Sequence, residues 1–233
     1  MKEEKLSYLK NFTLLLVDDD KEVLTKMETI LSIFFKNVIC ANDGLIAYDI
    51  FLTSNIDMII TDYTMPNMSG YELCKNIRNT NKNIPLVIMS NYSDKEKLLS
   101  AIPLSLAQYL IKPVSYTTLT STLLSMVYKM QDTNLMVYKI SESLVYDRIN
   151  KELKDTDVVI ALSKSEIITL ELFLENKDKI LSSDAIERCL DPTENMSEQA
   201  IKSLIYRLRK KIGKDIIINI PGFGYMFKTK SEV

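Results

Sequence analysis

The chain has 233 residues, 46% of them hydrophobic and 26% charged, with a formal net charge of −2; this is ordinary for a folded protein and long enough for two modest domains. It contains no histidine, so Ser-His-Asp triads, Cys-His dyads and His-ligated zinc are excluded, and any phosphoryl, acyl or metal chemistry has to run on carboxylates, hydroxyls, lysines and backbone. Three widely spaced cysteines, Cys40, Cys74 and Cys189, argue against a disulfide framework or a zinc site.

From the start, "MKEEKLSYLKNF" carries acids and no apolar centre, unlike a secretory signal. No apolar run approaches the roughly 20 residues of a membrane span. A cytoplasmic protein with no membrane partner is expected. Then "LLLVDDDKEV" (14–23) runs an apolar strand into Asp18, Asp19 and Asp20. Like charges at a half-buried strand end repel, and a cation would relieve them. An acidic helix cap is the plainer alternative.

Further short apolar runs follow at 38–41, 57–61, 85–90 and 108–111, after the first at 13–17. Between them, 21–35, 44–54 and 70–79 have helical patterning. Five strands alternating with helices predict a parallel sheet covered on both faces, with ligands bound outside the carboxyl ends of its strands. Asp62 ends the third strand, Ser90 the fourth and Lys112 the fifth. Singly, Asp62 is a turn residue, Lys112 a surface lysine, Tyr109 a core aromatic and Ser90 a strand-end hydroxyl. Together at one sheet edge they supply hard oxygens, a hydroxyl donor and a fixed cation, the composition of a magnesium and phosphoryl site. Asp20 and Glu22 read as first-turn acids of the next helix.

After a polar join at 131–135 the period changes. Short strands in "LMVYKI", "SLVYDR", "NKELK" and "DVVIAL" precede helices at 163–176, 182–190 and 197–212 and a closing hairpin at 216–227. That order describes a winged helix-turn-helix domain. Ser163 and Glu166 have capping-box spacing. In 197–213, Ile201, Leu204, Ile205, Leu208 and Ile212 form one stripe. Gln199, Lys202, Ser203, Tyr206 and Lys210 lie opposite, flanked by Arg207 and Arg209. Such a face suits the DNA major groove, centre residues on bases and arginines on phosphates. Residues 134–233 hold 16 Lys+Arg against 16 Asp+Glu, so binding has to come from this concentrated face, aided by dimers.

With "VDDD", "DYTMPNMSG", the Ser90 strand end and "YLIKP" in place, the chain resembles the two-component response regulators of the OmpR/PhoB subfamily. The resemblance implies a flavodoxin-like doubly wound (βα)5 receiver domain over 1–130, a linker at 131–135 and an α+β winged helix-turn-helix DNA-binding domain over 136–233. It implies that Asp62 is the phosphoacceptor and that Asp19 and Asp62 hold Mg²⁺ directly. The backbone carbonyl of Thr64 would join them, with Asp18 acting through water. Ser90 would bond the phosphoryl group, Lys112 pair with it, and Tyr109 act as an aromatic switch. A cis Lys112–Pro113 bond goes with the same resemblance. Implied partners are a sensor histidine kinase, promoter DNA in tandem or inverted half-sites and a second copy as homodimer. RNA polymerase would be met at "DPTENM" (191–196). No enzymatic turnover is expected beyond the chain's own phosphoryl acceptance.

The sequence departs from that pattern in four places. Asn91 follows Ser90 where relatives have Ala or Gly, and "LSLAQYL" lacks their Gly and acidic pair. The stretch 115–128 has no charged residue, so acid–base pairs cannot assemble a dimer there. Pro221 and Met226 replace wing arginines, leaving Lys228 and Lys230 as nearby cations. An atypical regulator that dimerises and binds DNA without phosphorylation is therefore a second reading. A third is a Mg-dependent phosphatase with an aspartyl nucleophile, suggested by the Asp18/Asp20 spacing, although Glu22 stands where that family has Thr or Val. A fourth is a receiver joined to a protein-binding winged helix.

Overall fold

The computed structural model describes residues 2–91, 95–156, 158–190 and 197–228. The chain divides into two compact units, Met1–Leu135 and Met136–Val233.

In the first unit, α1 (Lys2–Ser7) and a 3-10 turn at Tyr8–Asn11 precede β1 (Thr13–Val17). α2 (Lys21–Leu31), β2 (Asn37–Ala41), α3 (Gly44–Thr53), β3 (Met58–Asp62) and α4 (Gly70–Thr80) follow. β4 (Leu86–Ser90), α5 (Lys95–Ala101), β5 (Gln108–Ile111) and α6 (Tyr116–Asp132) complete it. The five strands form one parallel sheet in the order β2-β1-β3-β4-β5. Every residue of β3 and β4 is buried, as a sheet covered on both faces requires. The switch in strand order beside β1 brings the ends of β1 and β3 together, with Val17 opposite Thr61.

Local chemistry sets the boundaries. Asp20 caps α2, its carboxylate accepting from the Glu22 and Val23 amides, which makes it the cap where a first-turn acid was expected. α2 stops at Leu31, short of the predicted 35, because the amides of Phe34 and Phe35 fold back onto the Leu31 carbonyl and bury Phe35. Ser69 and Glu72 form a capping box at α4. α6 starts after its cap Ser115 and runs through Asp132. Two of the five predicted linker residues are thus helical, and the helix ends with the charged residues Lys129 and Asp132. Lys129 is spent on the Ser105 carbonyl. The N-terminal turn is tied down by fully buried Leu9 and Phe12, by Lys10 on the Ser32 carbonyl at 3.3 Å, and by Lys5 over the Tyr128 ring of α6.

In the second unit, β6 (Val137–Lys139), β7 (Leu144–Asp147), β8 (Glu152–Asp155) and β9 (Val158–Ile160) form an antiparallel sheet in sequence order. α7 (Lys164–Glu175), β10 (Ile180–Leu181), α8 (Ser183–Leu190) and α9 (Glu198–Ile212) follow. The hairpin β11 (Ile217–Ile220) and β12 (Gly224–Phe227) closes it. Tyr146, Leu153, Leu170, Phe173, Ile186 and Leu208 are fully buried in one core. The stripe Ile201, Leu204, Ile205, Leu208 and Ile212 faces inward as its spacing requires. β12 also pairs with β10, Leu181 opposite Tyr225, so the wing is a three-stranded sheet.

Candidate functional site

The acidic edge is assembled by three strand ends. Lys112, just beyond β5, places its Nζ 2.6 Å from Asp18 Oδ2 and 2.5 Å from Asp62 Oδ1. Both carboxylates are buried, Asp18 at 2% and Asp62 at 4% exposure. Two buried anions held by one ammonium are a costly arrangement that stability alone does not call for. Asp18 Oδ1 also accepts from the Asp20 amide at 3.1 Å, and Asp62 Oδ2 from the Thr64 amide at 2.7 Å. Burial pushes the Asp62 carboxyl above its ordinary value, offset in part by Lys112 and the Thr64 amide. Burial alone would lower Lys112, but its bonds to Asp18 and Asp62 outweigh that and hold the ammonium up.

The backbone fixes these groups. The Lys112 amide donates to the Ser90 carbonyl at 2.8 Å, the Lys112–Pro113 bond is cis, and Ser90 is 2% exposed. The loop after Asp62 returns so closely that the Gly70 amide meets the Tyr63 carbonyl at 3.0 Å. A Cβ on Gly70 would stand 1.8 Å from the Asp62 carbonyl oxygen, so only glycine fits. Asn67, with φ +60, donates to Asp43 at 2.6 Å and pins the same loop to the start of α3.

The structure thus gathers Asp18, Asp62, Lys112 and the Ser90 strand end at one edge. Asp19 is exposed and lines an open hollow of about 540 Å³ with Asp43, Ile46, Pro66 and Asn67. Among the described residues, no three carboxylates or thiols stand close enough to form a ready-made metal cage. Tyr109 packs edge-on against Tyr63 at 6.4 Å, and its buried hydroxyl has no hydrogen-bond partner among the described residues. Tyr63, stacked in turn on Tyr71 at 6.2 Å, was missed from sequence; its place immediately after Asp62 was the available signal.

On α9, Gln199, Lys202, Tyr206, Arg207 and Lys210 are exposed and Ser203 is half-buried. Lys202 pairs with Glu198 at 2.7 Å, and Lys210 lies over the Tyr206 ring. Arg209 is tied to the wing. Its Nε donates to the Ile217 carbonyl of β11 at 2.7 Å and its guanidinium lies over Tyr225 of β12, so it clamps α9 to the hairpin where a phosphate contact was expected. Lys211 likewise turns inward, 2.7 Å from buried Glu166 and from the Ala161 carbonyl. Arg207 approaches Glu166 only to 3.8 Å and is more than half exposed. The loop 191–196 and Lys230 lie outside the described residues.

A parallel sheet with an acidic edge, followed by a winged helix, is the build of a DNA-binding regulator. Residues 14–124 match the response regulator receiver domain and residues 156–227 the C-terminal domain of transcriptional regulatory proteins. The chain belongs to the OmpR/PhoB-type two-component response regulators, a family that works with sensor histidine kinases and binds promoter DNA. It is 26% identical to the transcriptional regulatory protein CusR of Escherichia coli over 224 residues, covering 93% of this chain and 97% of the other. It is 28% identical to the probable transcriptional regulator ycf27 of Cyanidium caldarium, covering 91% and 92%. The crystal structure of DrrB, an OmpR/PhoB homolog from Thermotoga maritima, is 25% identical with a TM-score of 0.42, covering 93% of this chain and 99% of that one. No helix among the described residues is long and apolar enough to cross a membrane.

Proposed function

We propose that this regulator accepts a phosphoryl group on Asp62 and uses α9 to read promoter DNA. The observation that carries the reading is Lys112 bridging Asp18 and Asp62 at the sheet edge. Asp62 Oδ attacks phosphorus on the phosphohistidine of a sensor kinase, forming an O–P bond as the P–N bond breaks. Lys112 holds the carboxylate in place and faces the added charge. Ser90 donates its hydroxyl to a phosphoryl oxygen, and Tyr109, whose hydroxyl has no partner to lose, is the side chain able to reorient afterwards.

Receiver domains use Mg²⁺ when phosphorylated, and the donors here fit it. A hard ion that keeps several waters needs only one or two carboxylates plus phosphate oxygens. Asp19 and Asp62, with the Thr64 carbonyl, would hold it, and Asp18 would act through water. Bound there, it would neutralise the clustered acids and the transferring group. Lys112 has to yield part of its contact with them.

On α9, Gln199, Lys202, Ser203, Tyr206 and Lys210 face the bases and Arg207 a phosphate. The regulator works as a homodimer in the cytoplasm and meets RNA polymerase through 191–196. Stoichiometric labelling with acetyl phosphate and Mg²⁺ tests the acceptor. One phosphoryl per chain, absent in Asp62→Asn, supports it; sustained phosphate-ester turnover would support a phosphatase instead. A second reading, assembly without phosphorylation, is favoured by the charge-free stretch 115–128 of α6. Light scattering with and without beryllofluoride separates the two: dimers under both conditions, and in Asp62→Asn, would establish it.

A further inference from the structure

The wing has no cation between Asp215 and Phe227, so the usual electrostatic means of holding a phosphate backbone is missing from it. What it presents is an aromatic ring. Phe223, at the tip of the β11–β12 hairpin, is 71% exposed, the most exposed large apolar side chain among the described residues.

The tip is built to hold that ring outward. Pro221 and Gly222 occupy the two middle positions of a turn closed by the Phe223 amide on the Ile220 carbonyl at 3.0 Å. Pro followed by a residue of positive φ, here Gly222 at +80°, is the signature of a type II turn. Gly224, at φ +131°, seals the other side: a Cβ there would stand 2.1 Å from the Leu181 carbonyl oxygen. Its neighbour Tyr225 pairs with Leu181 of β10. The hairpin cannot roll about its axis without breaking this contact. Nor can it swing freely from α9, because Arg209 bonds the Ile217 carbonyl and covers Tyr225. The backbone that carries the ring is therefore held from two sides, by β10 and by α9.

We propose that Phe223 is an apolar wedge that enters the DNA minor groove beside the major groove occupied by α9. This rests on the DNA-binding reading of α9. Phenylalanine is among the residues that proteins insert at minor-groove base steps, where the ring gains burial against sugars and partly unstacked bases. A wedge needs a rigid support, and the wing, tied to β10 and to α9, supplies one. It also selects its site: flexible pyrimidine–purine steps yield to a wedge more easily than stiff ones.

The test uses the full chain and 40-base-pair duplexes that it enriches from a random pool. Phe223→Ala should weaken binding to the enriched duplex about tenfold and leave the salt slope unchanged, since no phosphate contact is lost. Phe223→Arg should restore affinity and steepen the slope by about one. With 2-aminopurine walked along the duplex, one step should brighten with the wild type and stay dark with Phe223→Ala. Equal thermal midpoints would show that the variants remain folded. Binding of Phe223→Ala within twofold of wild type, with no step brightened, would overturn the wedge while leaving α9 as the reader. Failure of the wild type to enrich any duplex would overturn the DNA-binding reading and the wedge with it.

Discussion

Replacing Gly70 by alanine probes how closely the site is built. Alanine is ordinarily the better helix residue by about 0.5–1 kcal/mol, and Gly70 opens α4, so an open environment would make the change stabilising. The structure reverses the sign. The new Cβ would lie 1.8 Å from the Asp62 carbonyl oxygen and 2.7 Å from Thr61 Oγ1, where a carbon–oxygen contact needs about 3.3 Å. The deficit of about 1.5 Å cannot be taken up by a flexible side chain, because the obstructing atom is the backbone of a fully buried strand. Overpacking of this kind costs about 1–3 kcal/mol, and the upper end applies where backbone must move. We expect a loss of about 2–3 kcal/mol in the first unit, with a thermal midpoint lower by about 8–12 °C. Asp62 should also retreat from Lys112. Circular dichroism melts with acetyl phosphate labelling would show both, the rate of labelling falling further than the folded fraction. A Gly70→Ala protein that melts with the wild type and is labelled at the same rate would refute the argument from close approach.

Other consequences are equally direct. Burial raises the Glu166 carboxyl, but its bonds with Lys211 and the Ser163 amide outweigh this and hold it below the usual range. Its contribution to stability is therefore complete above the unfolded-state pKa and lost as pH falls through the folded one. Urea melts of the second unit should weaken as pH falls from 6 to 3, and less so in Glu166→Gln, which should start about 1–3 kcal/mol lower at neutral pH. Burial pushes the Cys40 thiol up to about 11 and the Cys74 thiol to about 12, whereas Cys189 is exposed. A thiol reagent at pH 8 should consume one fast equivalent per native chain and three after denaturation. Arg207→Ala should weaken binding to all DNA and flatten the salt slope by about one. Arg209→Ala should instead destabilise the second unit by about 1–2 kcal/mol for its lost bond and ring contact, and so lower its melting point; a normal melt with a flattened slope would give Arg209 the phosphate role.

Much of the fold could be read from the residues because its signals are local. The five parallel strands are short apolar runs with sharp polar ends, and the buried stripe of α9 follows from periodicity alone. The convergence of Asp18, Asp62 and Lys112 followed once the strands were aligned, since all three residues end or follow a strand. What escaped is what depends on distant partners. β10 is two residues long and exists only because β12 lies beside it. α1 is held by contacts with α6, including Lys5 over Tyr128, that no local pattern announces. The bond of Arg209 to the Ile217 carbonyl was hidden because a helical wheel fixes where a Cβ points, not where a long side chain finishes. The shared ammonium was equally hidden: sequence places Lys112 at the edge but does not say that it touches both carboxylates.

The division of α9's cations has a consequence for how such a regulator changes over time. Arg209 and Lys211 are committed inward, to a strand carbonyl and to the buried Glu166, while Lys202, Arg207 and Lys210 look outward. Anchoring and reading therefore fall on different residues of one helix. A lineage is free to rewrite the outward positions, and so the DNA sequence preferred, without first loosening the domain that presents them. New specificity is reachable here by single steps, each through a folded intermediate.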